Sequence, residues 1–176
     1  MALTVKRVLG TKCQKQVKRI YLDAFSRGDR MPFFMMYFMS LLPSTKFRAH
    51  YDGDILCGFL YYAAIGRQIF VMFFAVDAAL RENGYGSQIL ENLKLKNPNK
   101  KIIVSIEPCL DNEPDDINSR RKAFYQRNGF SETGYMMKLG KVQELLIANG
   151  KFSKISFQLF LALYSLFTLW PKIWKK

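Results

Sequence analysis

The chain has 176 residues, 49% of them hydrophobic, so it is long enough to bury a core and too apolar to be disordered. Lysine and arginine outnumber aspartate and glutamate by 27 to 14, giving a net charge of +13. The positive charges are scattered and carry no recognisable nucleic-acid motif. This disfavours a nucleic-acid partner relative to an anionic membrane surface, a small polyanionic ligand or a generally basic solvated surface.

The cysteines and the histidine argue against a metal site. Cys13, Cys57 and Cys109 form no C-x-x-C pair, and His50 is the single histidine. Residues 1–6 lack the apolar core of a signal peptide. We therefore expect reduced thiols, no bound metal and a cytoplasmic location.

The first half of the chain predicts a strand, two helices and a β-meander. Thr11 and Gln14 have capping-box spacing at the start of the first helix, and Asp52-Gly53 is a strong hairpin turn. The predicted elements are a strand at 3–9, a helix ending near Gly28 with its buried face at Cys13, Val17, Ile20, Tyr21, Ala24 and Phe25, an apolar helix at 33–41, and strands near 46–51, 55–64 and 68–76.

The second half continues as alternating helices and strands. The predicted elements are a helix from Gly84 to about Leu95, a strand at 101–106, an acidic loop at 109–117, a helix from about Asn118 to Arg127, strands near 130–138 and 142–148, and a final helix capped by Ser153. We expect a mixed α/β (α+β) fold with a central, mostly antiparallel sheet flanked by helices. The expected division is one domain over residues 1–150 and an apolar C-terminal helix or tail over 151–176.

A glycine-containing turn joins the strand at 68–76 to the following helix. Its sequence, Arg81-Glu82-Asn83-Gly84-Tyr85-Gly86, directs free backbone N–H groups and the positive end of the helix dipole at one spot, and this suits a phosphate. An ordinary strand-to-helix turn is the alternative. The P-loop pattern is absent, and Ile89 stands where a dinucleotide fingerprint needs its third glycine.

Two motifs in order resemble those of the GNAT superfamily of N-acetyltransferases. The segment R-E-N-G-Y-G at 81–86 is similar to the acetyl-CoA loop R/Q-x-x-G-x-G/A, and 118–130, NSRRKAFYQRNGF, is similar to N-x-R-x-x-x-(F/L)-Y-x-x-x-G-F. The resemblance covers roughly residues 3 to 150. It implies a GNAT-like domain and an acyl-CoA N-acyltransferase that uses acetyl-CoA as co-substrate.

The resemblance also implies the cofactor contacts. The backbone of Ala75 and Val76 would pair with the pantetheine arm, and Asn118 would contact the same arm. The diphosphate would lie on the loop, with Arg81 adding a cation. The residues implied there are Arg81, Asn83, Gly84, Tyr85, Gly86 and Ser87.

Tyr125 and Glu107 are the candidate catalytic residues. Tyr125 matches the tyrosine that commonly lies by the thioester sulfur, where a phenol can donate to the departing thiolate. Glu107, at the end of a strand, is the candidate base, and a surface carboxylate or substrate-binding role is an equal alternative for it. Tyr125 could instead be an aromatic of the core. Cys109 is interpreted as a buried or incidental thiol.

The acceptor would be a small-molecule or peptide amine. Glu107, Asp111, Glu113, Asp115 and Asp116 form an acidic cluster that fits a cationic amine or, equally, a solvated loop. Residues 33–39 would supply an apolar acceptor wall, but a buried helix is the preferred interpretation.

The C-terminal segment has no charge over 155–170 and ends in tryptophans and lysines. It fits packing on the domain, a homodimer interface or shallow membrane contact through 155–174; the first two are preferred. Three functions remain in view: an acetyltransferase acting by direct attack in a ternary complex, a CoA-binding regulatory or interaction module without turnover, and a membrane-surface-associated protein.

Overall fold

The computed structural model describes residues 3–109, 116–168 and 170–176. These residues contain five α-helices and eight β-strands. The chain divides into two compact units. Unit 1 runs through Ala64 and includes Val71–Asn97, and unit 2 comprises Ile65–Phe70 and the chain from Pro98 onward. Each unit is described by itself.

Unit 1 contains four strand segments in the order β1-β2-β3-β4, with β1–β2 and β2–β3 antiparallel. Gly53, with a φ of 56°, allows the tight turn between β2 and β3. The elements are β1 (Thr4–Arg7), α1 (Gln14–Ala24), α2 (Phe33–Met39), β2 (Thr45–Asp52), β3 (Ile55–Ile65), β4 (Gln68–Val76, of which 71–76 belong to this unit) and α3 (Tyr85–Leu95).

The core of unit 1 is mainly aromatic. Tyr21 on α1 lies edge-on to Phe59 and Phe73, with ring centroids 6.2 and 5.3 Å apart, and Phe47 packs against Tyr61 at 5.2 Å. Edge-to-face pairs of this kind add to the stabilisation that burial alone provides. The apolar face predicted for the first helix is confirmed, since Val17, Ile20 and Tyr21 are buried and Ala24 and Phe25 pack partly buried against the same core.

Unit 2 contains strands in the order β5-β7-β6-β8, and its three described pairings are antiparallel. The elements are β5 (Lys101–Ile106), α4 (Ile117–Arg127), β6 (Ser131–Leu139), β7 (Lys141–Ala148), α5 (Lys154–Tyr164) and β8 (Lys172–Lys175). Phe157 of α5 packs against Phe70 and Phe152 at centroid distances of 5.3 and 5.6 Å. Ser153 caps α5 by accepting from the Ser156 amide at 3.4 Å, as predicted.

The predicted mixed α/β fold with mostly antiparallel strands is confirmed. The strands predicted at 68–76 and 101–106 are found at those residues. β8 was not predicted, because a four-residue strand that begins directly after Pro171 has too few residues to show a period.

Two local predictions are wrong. Thr11 does not cap α1, because its hydroxyl donates to the carbonyl of Val8 at 2.9 Å, and the helix begins after Cys13 without a side-chain cap. The helix predicted as buried, α2, is largely exposed: Phe34 and Phe38 keep 75% and 71% of their surface, and Met36 alone is fully buried. A seven-residue helix that is apolar all round can turn only one side to the core.

The buried histidine makes unit 1 sensitive to acid. Among the described residues, neither ring nitrogen of His50 has a hydrogen-bond partner, and the residue is 2% exposed. Burial, reinforced by the positive charges of Lys96 and Arg48, lowers the pKa of His50 to about 4. A pKa lower in the folded than in the unfolded chain means that this contribution to stability is complete above about pH 6.5 and is lost as the pH falls toward 4.

We therefore expect His50→Leu to reduce the loss of stability in acid. Between pH 7 and pH 4.5 the natural chain should lose about 2 to 3 kcal/mol more unfolding free energy than the variant. Urea unfolding at both pH values measures this difference. Both chains have the same carboxylates, so the contributions of these groups to the difference cancel. Equal losses in the two chains would show that His50 is not the acid-sensitive group.

Candidate active site

A glycine fixes the position of the end of β4 in unit 1. A Cβ atom on Gly58 of β3 would lie 2.4 Å from the carbonyl oxygen of Ala75 and 3.0 Å from the Cα of Val76. Only glycine therefore permits this close approach of the two backbones. Ala75 and Val76, the residues implied for the pantetheine arm, are thus held by a steric constraint within unit 1.

Asp77 anchors the chain directly after β4. Its amide donates to the carbonyl of Cys57 at 2.9 Å, and its side chain accepts from the Ala79 amide at 3.1 Å. The carboxylate also pairs with Arg19 of α1 at 2.7 Å. Because Arg19 is mostly exposed, the backbone bonds account for more of the anchoring than the ion pair does.

The loop between Asp77 and α3 has an irregular backbone and is open to solvent. Glu82 and Gly84 have φ values of 69° and 76°, and residues 81–84 are all exposed. The first intrahelical bond runs from the Gln88 amide to the Gly84 carbonyl at 3.1 Å. The amides of Tyr85, Gly86 and Ser87 therefore have no acceptor within the helix. Such a group of free donors at a helix start can bind an anion.

The side chain of Tyr85 ties the start of α3 to the β2–β3 hairpin. Its hydroxyl donates to Asp52 at 2.9 Å, and this bond, with the nearby Asp52 charge, raises the pKa of Tyr85. Burial also raises the pKa of Cys57, whose thiol lies in the same region of unit 1. Tyr85 therefore offers an anion its backbone amide, while its phenol positions the loop.

Unit 2 carries Tyr125 on α4. The residue is 8% exposed, and its ring packs edge-on against Phe124 and Phe130 at 5.4 Å from each. Burial raises the pKa of Tyr125 to about 12, against a smaller opposing effect of Arg121. No described residue hydrogen-bonds to its hydroxyl. At neutral pH the phenol keeps its proton and can donate it.

Asn118 lies beside the segment that follows β5. Its Nδ2 donates to the carbonyl of Pro108 at 3.4 Å, whereas its Oδ1 is buried with no partner among the described residues. A buried carbonyl oxygen without a donor is costly and suits a ligand that supplies an N–H group. The Oδ2 atom of Asp116, directly before α4, is in the same condition.

Glu107 follows β5 and forms an ion pair. Lys141 of β7 contacts it at 3.1 Å, and the Glu107 side chain is 37% exposed. A carboxylate bound to an ammonium group must release it before it can accept a proton freely. Of the acidic cluster predicted around Glu107, Asp111, Glu113 and Asp115 lie outside the described residues.

Helix α4 is fastened to the strands of unit 2 by a buried ion network. Glu144 of β7 is 1% exposed and accepts from Lys122 at 3.1 Å, and Lys122 also pairs with Glu132 at 2.8 Å. Although burial opposes it, bonding to Glu132 and Glu144 raises the pKa of Lys122, and Lys122 in turn lowers that of Glu132. The network fixes the helix that bears Asn118 and Tyr125.

Unit 1 also contains a cavity of about 560 Å³ between α1 and α2. We call it the α1–α2 cleft. It is mostly apolar and aromatic, with Lys18 and Arg30 as its cations and no carboxylate in its lining. The lining residues are Gln14, Lys18, Tyr21, Leu22, Arg30, Met31, Pro32, Phe33, Phe34 and Tyr37.

The structure brings the predicted residues together in two sets. Ala75, Val76 and the loop lie in unit 1, and Glu107, Asn118 and Tyr125 lie in unit 2. Sequence reasoning missed Gly58, although a lone glycine inside a strand does indicate a close backbone approach. It also missed the Lys122–Glu144 pair, for which no local pattern exists. Within the described ranges, no three His, Cys, Asp or Glu side chains are grouped to hold a metal.

The chain matches the model of one protein family. A family model described as acetyltransferase (GNAT) domain matches residues 43–132, half of the chain. A search of curated protein sequences gives no match.

Solved structures show the same fold. A protein from Bacteroides thetaiotaomicron assigned to the GNAT family is 20% identical over 93% of this chain and 97% of its own, with a TM-score of 0.76. The ribosomal-protein-S18-alanine N-acetyltransferase from Escherichia coli is 12% identical over 86% of this chain and 96% of its own, with a TM-score of 0.64. The PaiA N-acetyltransferase from Thermoplasma acidophilum, in complex with coenzyme A, is 14% identical over 86% of this chain and 100% of its own, with a TM-score of 0.57. At these identities the likeness concerns the fold.

Breaking the buried network should loosen α4. Lys122→Met leaves the Glu144 carboxylate without its nearest partner, and we expect a loss of about 3 kcal/mol in unfolding free energy. The double variant Lys122→Met/Glu144→Leu should recover most of that loss, because it removes the buried charge. Urea unfolding of the three chains measures both effects. A double variant as unstable as the single one would mean that packing, rather than charge, is responsible.

Proposed function

This chain belongs to the GNAT acetyltransferase family, and we propose that it transfers an acetyl group from acetyl-CoA to a primary amine. The chain is an acyltransferase. We propose that acetyl-CoA is its co-substrate, that a primary amine is its acceptor, and that the amine attacks the thioester directly in a ternary complex. The observation that carries the proposal is the exposed loop with free amides at the start of α3. A ligand with a diphosphate suits it, and CoA has one.

The residues implied for CoA fit this ligand in each unit. In unit 1, the backbone of Ala75 and Val76 would bind the pantetheine arm. The amides of Asn83, Gly84, Tyr85, Gly86 and Ser87 would bind the diphosphate, with Arg81 as a nearby cation. In unit 2, the orphaned Oδ1 of Asn118 would accept from an amide of the arm.

Tyr125 and Glu107 would handle the protons. Acetyl-CoA supplies an activated acyl group, whose transfer leaves a thiolate and requires an unprotonated amine. A phenol with a pKa of about 12 is fully protonated at neutral pH, and Tyr125 would donate to the departing sulfur. Glu107 would accept the proton of the amine, directly or through water, after Lys141 is displaced from it.

The α1–α2 cleft supports an acceptor with an apolar body. Its aromatic lining would bury apolar surface, whereas Lys18 and Arg30 would repel a polycation. Arg30 is partly engaged, since it donates to the carbonyls of Phe25 and Leu22. We therefore propose a monoamine with an apolar or aromatic portion, in place of the cationic acceptor that the acidic cluster suggests.

A CoA-binding module without turnover is the second candidate. The ion pair between Glu107 and Lys141 favours it, because it engages the only acid proposed as a base. Both candidates would bind CoA, but only the acetyltransferase would turn over acetyl-CoA.

Arg81→Gln should weaken CoA binding about tenfold by removing a charge-assisted contact to the diphosphate. The affinity for pantetheine, which lacks the diphosphate, should stay unchanged. Arg67→Gln removes the same charge at another exposed arginine of the chain and serves as the control. Isothermal titration with both ligands measures the effect. If the two variants weaken CoA binding equally, the effect comes from the net charge of the protein and not from a contact made by Arg81.

Tyr125→Phe should lower kcat on the order of 100-fold or more, because a proton donor is lost. CoA affinity should stay within twofold, since the phenyl ring keeps the packing against Phe124 and Phe130. The assay is thiol release from acetyl-CoA with a panel of apolar amines. Full turnover by the variant would remove Tyr125 from the mechanism, and CoA binding by the natural chain without turnover on any amine would favour the second candidate.

A further inference from the structure

Helix α5 has two apolar faces, and only one of them is packed. Phe157, Phe160, Leu161 and Ala162 are buried in unit 2. Ile155, Leu159 and Leu163, spaced four residues apart, are 80%, 50% and 44% exposed. Positions four apart lie one above the other on a helix, so these side chains form a continuous apolar strip facing solvent.

Further exposed apolar side chains follow the end of the helix in sequence. Leu166, Phe167 and Trp170 are 82%, 67% and 64% exposed. Leu166 and Phe167 also have φ values of 51° and 64°, a conformation that large residues rarely adopt. We call Ile155, Leu159, Leu163, Leu166, Phe167 and Trp170 the α5 strip.

The charged residues of the C-terminal segment are all of one sign. Residues 145–176 contain five lysines and no arginine, aspartate or glutamate. Four of the lysines are exposed and Lys154 is half-buried, and among the residues that the structure describes Lys176 is the one of the five that lies close to a carboxylate, at 3.5 Å from Glu144. They are Lys151, Lys154, Lys172, Lys175 and Lys176.

We propose that the α5 strip and its lysines are a docking surface for an anionic lipid membrane. Exposed apolar side chains would enter the boundary between headgroups and acyl chains, while the lysines would contact lipid phosphates. Tryptophan is enriched at that boundary. A second copy of the chain is a poorer occupant, because it would bring the same lysines and a charge of +13 against an equal charge.

The length of α5 sets the mode of contact. At about 1.5 Å per residue, its 11 residues extend roughly 16 Å. None of the helices that the structure describes is long and apolar enough to cross a bilayer. The helix therefore lies in the plane of the membrane, with the α5 strip toward the lipid and the buried face still packed on unit 2.

The chain contains its own reporter for this contact. Its two tryptophans, Trp170 and Trp174, both lie in the C-terminal segment. Their emission is measured with vesicles of phosphatidylcholine alone and with vesicles of equal parts phosphatidylcholine and phosphatidylglycerol, alongside co-sedimentation. We expect a blue shift and sedimentation with the anionic vesicles only, both weakened by salt.

Matched variants test the apolar and the charged contributions. Leu159→Glu should lower the partition coefficient at least tenfold, whereas Leu95→Glu, the same change at a leucine that is 71% exposed on α3, should alter it less than twofold. Lys151→Gln/Lys154→Gln should lower it roughly 25-fold, since each lysine near the surface contributes roughly fivefold. Lys12→Gln/Lys15→Gln removes equal charge elsewhere and should have little effect. Circular dichroism and thermal melts establish that each variant is folded.

Several outcomes would overturn the proposal. The first is unchanged tryptophan emission with anionic vesicles. The second is an equal change in the partition coefficient for the test and the control variants. The third is a concentration-dependent dimer that Leu159→Glu dissociates. The last would identify a second copy as the occupant. Because the α5 strip contains no residue of the proposed catalytic machinery, acetyl transfer by Leu159→Glu should match that of the natural chain. Failure of membrane binding is thereby separable from failure of the proposed function.

Discussion

The start of α3 depends on a short stretch of left-handed backbone at Glu82 and Gly84. This conformation ends the segment after β4 and begins a helix whose first amides have no acceptor within the helix. Behind it, the contact between Gly58 and Ala75 and the bonds made by Asp77 fix the chain that leads into the loop. A helix start with free donors is common in proteins; one held open to solvent by a strained loop and a steric constraint is suited to binding an anion.

The extent to which sequence predicts this fold varies with the kind of pattern. The runs at 68–76 and 101–106 are β-rich throughout, and Ser153 has a capping geometry that local sequence encodes. The exposure of α2 was not predictable, because a helix that is apolar on all sides carries no information about which side is buried. The pairing of Glu107 with Lys141 joins residues 34 positions apart, and only the tertiary fold determines it.

The charges that surround the candidate acceptor sites distinguish cationic from apolar acceptors more clearly in the folded structure than in the sequence. The cluster of acids after β5 favours a cationic amine, but one of its members, Glu107, is already paired with a lysine. The α1–α2 cleft has aromatic walls and two cations, and no acid lines it. The lining of the cleft supports the apolar acceptor that we propose. In the described part of the acidic cluster, the Oδ2 atom of Asp116 is buried and lacks a donor.

The terminal strands of the two units are both short and basic. β1 has four residues and includes Lys6 and Arg7, and β8 has four residues and includes Lys172 and Lys175. Outer strands expose main-chain donors and acceptors that another chain could extend into fibrils or aggregates. Brevity and lysines both discourage such extension. These strands thus protect a chain rich in aromatic residues from edge-to-edge aggregation, and they disfavour assemblies of copies that extend the sheet.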